Sequence, residues 1–457
     1  MTIKNTVNNK INITQLVDNQ VMNRFQIRTV LLCALIAFLD GVDTQSIGVA
    51  APFIINSLHV TRSALGPIFS AAILGAMIGA LTMGYAGDRF GRKRVLMFSM
   101  LVFGAGTVAT AFATSYESLL AIRLVTGIGL GGATPCFLAL ASEYTPARRR
   151  AAITSALWAA FPLGGMLGGF LNSWLITRHG WQFIFIAGGI APVALILLIW
   201  FLLPESPSVL INRANAASSR SLARIVGQLT GLTAPVKATF AIDQEKIQSA
   251  SFRLLFIDGR ARSTLLLSLP FIMAFGTLAV IVLWTPALLR DSGMTAADTA
   301  IAIGYHGLGA LIGMGSAGRL IERFGATRVL VPAMLLGALS TAAVGVSATS
   351  LAMASLALAL TGVFVGLSAS GAIALAVLMY PAAIRSSGIG WQMGMGRMGQ
   401  VLAPLLTGLL LSLGIDGGKT FFYVALAPMV GAVAIFLIAQ RKTQAAGDAA
   451  SGLAHGL

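Results

Sequence analysis

Two carboxylates, Asp40 and Asp43, stand in a run otherwise built for lipid, RTVLLCALIAFLDGVDTQSIGVAAPFII. Three residues apart, they share one face if the run is helical. Asp40 falls about 11 residues into the run, roughly 16 Å along a helix that rises 1.5 Å per residue. That depth is near the midplane of an apolar bilayer core about 30 Å thick. A fixed charge there costs at least a few kcal/mol. Low dielectric and a second carboxylate nearby each favour the protonated form of a carboxyl group. Reversible proton binding is the chemistry this pair suits. The plainer alternative is one aspartate capping a helix break at Gly41, permanently paired.

Only two basic residues, Arg123 and Arg397, fall deep within apolar runs. Unpaired, either would be costly. Arg397 is flanked by Gly394, Gly396 and Gly399, which leave room for a ligand beside the guanidinium. Its planar fork suits both oxygens of a carboxylate. The alternative is helix packing through the small residues, with the arginine paired elsewhere. His306, in GYHGLG, suits a contact to a ring hydroxyl, a place on a proton path, or plain packing. Trp391 and Gln392 precede Arg397 by about one and a half turns, and Trp284 lies in an earlier run. A tryptophan plate holds a flat ring by stacking, although membrane tryptophans also serve as interface anchors. Gln45 and Tyr305 are further polar candidates.

These residues need membrane helices to position them. Of 457 residues, 56% are hydrophobic and 10% charged, against about 25% charged in soluble proteins. Twelve apolar runs of spanning length can be drawn, near 29–55, 64–86, 95–113, 117–141, 151–175, 182–203, 263–288, 297–318, 328–347, 350–378, 387–413 and 420–439. The expected class is an all-α membrane protein of twelve transmembrane helices in two pseudo-symmetric six-helix halves. The expected domains are a cytoplasmic tail over 1–28, bundles over 29–203 and 263–439, a cytoplasmic linker over 204–262, and a cytoplasmic tail over 440–457. The first run is too long for the apolar core of a removable signal peptide, so the first helix is expected to stay.

Basic residues concentrate in cytoplasmic loops of membrane proteins. With both termini inside, the outer loops hold only Arg62, Arg178, Arg290 and Lys419 of the 31 Lys and Arg residues. The net charge of +16 is then mostly a topology signal, spread over short loops, and does not point to nucleic acid. Cys33 and Cys136 both fall in spans and support no disulfide framework. The four histidines are far apart, no Cys/His cluster has metal-ligand spacing, and no phosphate-binding loop points to ATP. No cofactor, metal or enzymatic activity is expected.

An internal repeat supports this layout. GYAGDRFGRKR (84–94) follows the second run and GRLIERFGATR (318–328) the eighth. Gly84, Arg89, Phe90, Gly91 and Arg94 recur 234 residues later as Gly318, Arg323, Phe324, Gly325 and Arg328, and Asp88 becomes Glu322. Parallel halves of this kind are one known way to build a secondary transporter.

The loop at 84–93, the degenerate copy at 318–328, RLVTGIGLGG (123–132) and PESP (204–207) resemble signatures of the major facilitator superfamily. FLDGVDTQSIGVAAP (38–52), SEYTPARRR (142–150) and GMGRMGQVLAPLL (395–406) resemble, more narrowly, its aromatic acid:proton symporters. That group includes bacterial carriers for 4-hydroxybenzoate, protocatechuate, benzoate, 3-hydroxybenzoate and muconate. The resemblance implies proton-driven uptake of an aromatic carboxylate across a bacterial inner membrane, by a monomer with one central cavity, without naming the substrate. Within the superfamily, GVDT resembles the GYDT of proton-coupled sugar carriers, whose aspartate works with a fourth-helix arginine. This implies Asp43 as the proton site and Arg123 as its partner, although a fixed structural pair remains open. Gly84, Asp88, Arg89, Arg92 and Glu143 are expected to form a cytoplasmic conformational latch, with Gly84 allowing close helix approach and Asp88 facing a helix dipole. The alternative is that these basic residues only set topology. Two rivals remain: an efflux antiporter of the same fold, and a membrane chemoreceptor for aromatic acids.

Overall fold

The computed structural model describes residues 10–213, 215–231, 239–241, 252–257, 260–347, 350–380 and 384–454. Twelve long helices follow the twelve apolar runs. They are α1 (Arg24–Leu58), α2 (Leu65–Phe90), α3 (Arg92–Thr110), α4 (Tyr116–Glu143), α5 (Ala147–His179) and α6 (Trp181–Leu202). After the linker come α7 (Ala261–Asp291), α8 (Ala296–Phe324), α9 (Ala326–Val346), α10 (Leu351–Met379), α11 (Arg385–Ser412) and α12 (Gly417–Ala454). A helix satisfies every backbone polar group within itself, which a lipid environment demands. Among the described residues, eleven of the twelve are long and apolar enough to cross a membrane by length and composition. The exception is α11, whose 28 residues include six glycines, Gln392, Arg397 and Gln400. The least lipid-like helix is thus the one carrying Arg397.

Several helices outrun the apolar stretches that announce them. The 84–90 motif, read from sequence as loop, forms the last turns of α2. The connection to α3 is Gly91 alone, at φ +102°. Gly325, its repeat partner, joins α8 to α9 at φ +86°. Both turns need a backbone conformation that side chains other than glycine adopt only with strain.

The chain divides into two compact units. One comprises Met1–Asp43, Ala71–Gly164 and Trp181–Ile247, the other Thr44–Ser70, Gly165–Gly180 and Gln248–Leu457. The division passes through α1, α2 and α5 as well as through the linker.

In the first unit, glycines on α4 carry the packing. A Cβ at Gly127 or Gly131 would run into the α2 backbone at Ala72 and Ala76, and one at Gly129 into α3 at Ser99 and Phe103. Small residues let membrane helices approach this closely. A Ser115–Ser118 capping box starts α4. The described parts of the linker and N-terminal segment form regular structure. Helix Ala216–Thr230 is capped by Asn215 and buries Leu222, Ile225, Val226 and Leu229, one face at helical spacing. Its apolar face belongs to the same core as Ile11, Ile13 and Val17. Strands β1 (Lys10–Asn12) and β2 (Thr239–Ala241) pair in parallel, Ile11 opposite Phe240.

In the second unit, Gly309 and Gly313 of α8 meet the α10 backbone at Ala359 and Val363. The later part of α1 joins this unit because Gly48 lies against Val282 and Leu283 of α7. Ser70 of α2 donates to the Val401 carbonyl of α11 at 2.7 Å.

Candidate functional site

In the first unit, α1 runs unbroken through Gly41, so neither aspartate caps a helix break. Asp43 is buried, and Asp40, one turn earlier, is half-buried. Arg123 Nη2 donates to Asp43 Oδ2 at 3.1 Å, and Thr107 Oγ1 donates to Asp43 Oδ1 at 3.0 Å. Three helices thus converge on one carboxylate, and the glycine packing of α4 on α2 and α3 brings Arg123 there. Arg123 Nε and Nη1 are buried and have no acceptor among the described residues. The guanidinium therefore keeps donor capacity beyond Asp43. Thr107 was not singled out in the sequence, because a threonine in an apolar run carries no signal of its own.

At one end of the same unit, Arg92 donates to Asp88 Oδ1 at 2.9 Å through Nη2, and Nη1 pairs with Glu143 Oε1. Glu143 also accepts from Ser206 Oγ and Ser208 Oγ, each at 2.6 Å. Glu205 accepts from the Lys93 and Ser206 backbone amides at 3.0 and 2.9 Å. Burial pushes the Tyr144 phenol well above its ordinary range, with Glu143 and Glu205 adding to the shift. It stays protonated and donates to the Glu205 carbonyl at 2.7 Å. The motif and the PESP stretch therefore form one knot, and Glu205, Ser206, Ser208 and Tyr144 are members that the sequence reading left without a role. Arg89 is exposed and lies over the Phe90 ring. Gly84 does not provide the closest helix approach: a Cβ there would meet Pro135 at an ordinary 3.5 Å. The tight contacts in α2 come earlier, at Gly75 and Gly79.

In the second unit, α11 divides its glycines between two tasks. Gly399 lies against the Ile272 backbone of α7 and Gly396 against the Phe275 ring. Gly390 and Gly394 face open space. Gly394 precedes Arg397 by three residues, on the same helix face. Arg397 is half-buried, and its Nη1 donates to Gln400 Oε1 at 3.2 Å. An open stripe beside a guanidinium is suited to a ligand carboxylate.

Other candidates are held by their surroundings. Gln392 Nε2 donates to the Thr264 carbonyl and the Tyr380 hydroxyl, both at 3.0 Å, which fastens α11 to α7. Gln392 Oε1 is buried with no partner among the described residues. Trp391 Nε1 donates to Ser268 Oγ at 3.2 Å, and its ring meets Phe256 edge-on with centroids 5.1 Å apart. His306 is buried with Nδ1 3.3 Å from the Leu358 carbonyl, while its Nε2 has no partner among the described residues. Gln45 is buried, and its Nε2 is likewise without one. Trp284 is fully buried edge-on to Phe69, so it is not an interface anchor. Tyr305 is 40% exposed and packs edge-on to Phe170.

The fold thus holds a charge pair deep in long apolar helices, with a repeated turn after the second and eighth of them. The sequence profile of the Major Facilitator Superfamily matches residues 33–316 and 266–455, and the chain belongs to that family. It is 34% identical to the gallate transporter of Pseudomonas putida, over 95% of this chain and 96% of the relative. It is 33% identical to the 4-hydroxybenzoate transporter PcaK of Acinetobacter baylyi, over 92% and 93% respectively. Among solved structures it resembles a partially occluded, inward-open conformation of the xylose transporter XylE from E. coli. The TM-score is 0.69 at 17% identity, covering 91% of this chain and 98% of the other. That likeness speaks to the fold.

Proposed function

We propose that this protein imports a single-ring aromatic carboxylate together with protons, by alternating access, and that it is not an enzyme. The observation that carries the reading is full-length similarity, at 33–34% identity, to two carriers named for gallate and 4-hydroxybenzoate. The geometry supports it. Arg397 beside the open face at Gly390 and Gly394 binds the carboxylate. Asp43, held by Arg123 and Thr107, is the proton site, with Asp40 one turn away on α1. The Asp88–Arg92–Glu143 knot is a latch that must open and close during cycling. Asp88, the exposed member, is its most readily released part.

The distribution of basic residues supports a bacterial inner-membrane location with both termini in the cytoplasm. The protein acts as a monomer and uses the proton gradient with no other cofactor. The test is uptake by proteoliposomes under an imposed inside-alkaline pH gradient. Gallate, 4-hydroxybenzoate, benzoate, 3-hydroxybenzoate, gentisate and muconate form the panel, with xylose as the control. Accumulation of one or more aromatic acids, but not xylose, is expected. Xylose accumulation with none of the acids transported would overturn the assignment.

A further inference from the structure

A cavity of about 220 Å³ lies in the second unit, lined by Pro52 and Asn56 of α1, Arg62 before α2, and Trp284, Arg290 and Asp291 of α7. It sits where α1 and α7 end, the end of the helices that the charge distribution assigns to the outside. Apart from Trp284, already weighed as a ring contact, none of these residues belongs to the sites described above. The lining has two guanidiniums to one carboxylate. Arg62 is engaged with Asp291 at 2.5 Å. Asp416 is close enough for Asp291 to feel its charge, but it does not line the cavity. Arg290 also acts on Asp291 through its charge, lies over the Phe53 ring 4.5 Å from its centroid, and has its Nη1 buried with no acceptor among the described residues. The indole N–H of fully buried Trp284 is in the same condition.

The two guanidiniums in the lining suit an occupant that accepts hydrogen bonds. A carboxylate does so, with about four lone-pair sites. The space is large enough for a single-ring organic anion. Aromatic lining from Trp284 suits a flat one.

We propose that this cavity is a second, outer binding site for a single-ring aromatic carboxylate, with Arg290 as its principal contact. The proposal rests on the aromatic-acid reading above. The site collects the anion before it reaches Arg397. Binding also sets the ligand in competition with Asp291 for Arg62.

The test uses purified full-length protein titrated with benzoate by calorimetry, alongside proteoliposome uptake of 4-hydroxybenzoate. Wild type is expected to show two classes of benzoate site. Arg290→Gln should weaken one class tenfold or more and raise the KM of uptake, and Arg290→Lys should recover part of the loss. Arg397→Gln should weaken the other class. Arg62→Gln, which frees Asp291 to engage Arg290, gives the same comparison if Arg290→Gln does not fold. Unchanged benzoate binding and unchanged KM in both the Arg290 and Arg62 variants would overturn the outer site while leaving the transport reading intact. Acetate or chloride displacing benzoate from this class at equal concentration would overturn an aromatic occupant. Wild-type protein that takes up no aromatic acid would instead overturn the functional reading, and the cavity would then be judged on benzoate binding alone.

Discussion

Arg123 donates to Asp43 at 3.1 Å with both side chains almost removed from solvent, 3% and 1% exposed. Thr107 holds the other carboxylate oxygen at 3.0 Å. Two desolvated charges are tolerable as a pair, and removing one partner of such a pair costs about 3–5 kcal/mol.

This pair gives a prediction that separates a proton site from a structural ion pair. Asp43→Asn should lose at least tenfold in gradient-driven accumulation and also melt earlier, because Arg123 keeps its buried charge. The double variant Asp43→Asn with Arg123→Gln should regain part of the lost stability and none of the accumulation. Thermal melting read beside uptake decides the matter. Accumulation that returns together with stability would make the pair purely structural.

Asp43 and Arg123 stand out as charges in apolar runs, the resemblance of GVDT to GYDT implied their pairing, and the twelve helices were legible from the runs themselves. Thr107 was not, because its meaning lies in where α3 packs. The role of Glu205 and Ser206 was hidden for a related reason: their partners Lys93 and Glu143 are 112 and 63 residues away in the chain. Proximity to Arg397 in the sequence made Gln392 a ligand candidate, and what it could not show is that Nε2 donates to Thr264 and Tyr380. Helix periodicity places a side chain on a face but does not say which neighbour occupies that face. Ile13 and Val17 lie in a short polar-flanked stretch, and only the fold of the linker gives them a core to enter.

The latch separates into an exposed part and an enclosed part. Asp88 is 68% exposed and Glu143 17%. An exposed helical ion pair is worth about 0.3–0.5 kcal/mol. Asp88→Asn should therefore leave the melting temperature nearly unchanged while slowing turnover, with equilibrium substrate affinity within twofold of wild type. Glu143→Gln should lower stability as well, by about 1–3 kcal/mol, since it weakens a part-buried charged hydrogen-bond cluster. Calorimetry and exchange kinetics on both variants provide the check. A collapse of affinity with normal turnover in Asp88→Asn would refute the latch.

The two repeat turns make a matched pair for stability. Both Gly91 and Gly325 have positive φ. A Cβ at Gly91 would also stand 2.5 Å from Glu205 Oε2, whereas one at Gly325 would meet nothing within 4 Å. Gly325→Ala should cost only backbone strain, about 1–3 kcal/mol. Gly91→Ala should cost more and also disturb the Glu205 knot. Equal melting temperatures for the two variants would show that Glu205 moves aside freely.

Arg397 is assigned the substrate carboxylate, and the assignment turns on charge. An aromatic acid is an anion at neutral pH, and burying it without a cation carries a large desolvation penalty. Arg397→Lys keeps the charge and loses the fork, so binding should weaken. Arg397→Ala should weaken it further, by roughly 2–5 kcal/mol for a desolvated contact. The methyl ester should bind wild type poorly and lose little on going to Arg397→Ala. Comparable losses for acid and ester in calorimetric titrations would mean that Arg397 shapes the site without reading the carboxylate.

Coupled proton and substrate entry is the central claim, and one flux measurement addresses it. Proteoliposomes without an imposed gradient are suspended in weakly buffered medium with a pH indicator outside, and 4-hydroxybenzoate is added. Vesicles without protein correct for the undissociated acid crossing the lipid unaided. Wild type is expected to make the medium more alkaline as protons enter with the substrate, and Asp43→Asn is expected to abolish that signal. Substrate entry with no proton movement, or acidification of the medium, would contradict symport, and acidification would establish exchange in the opposite sense.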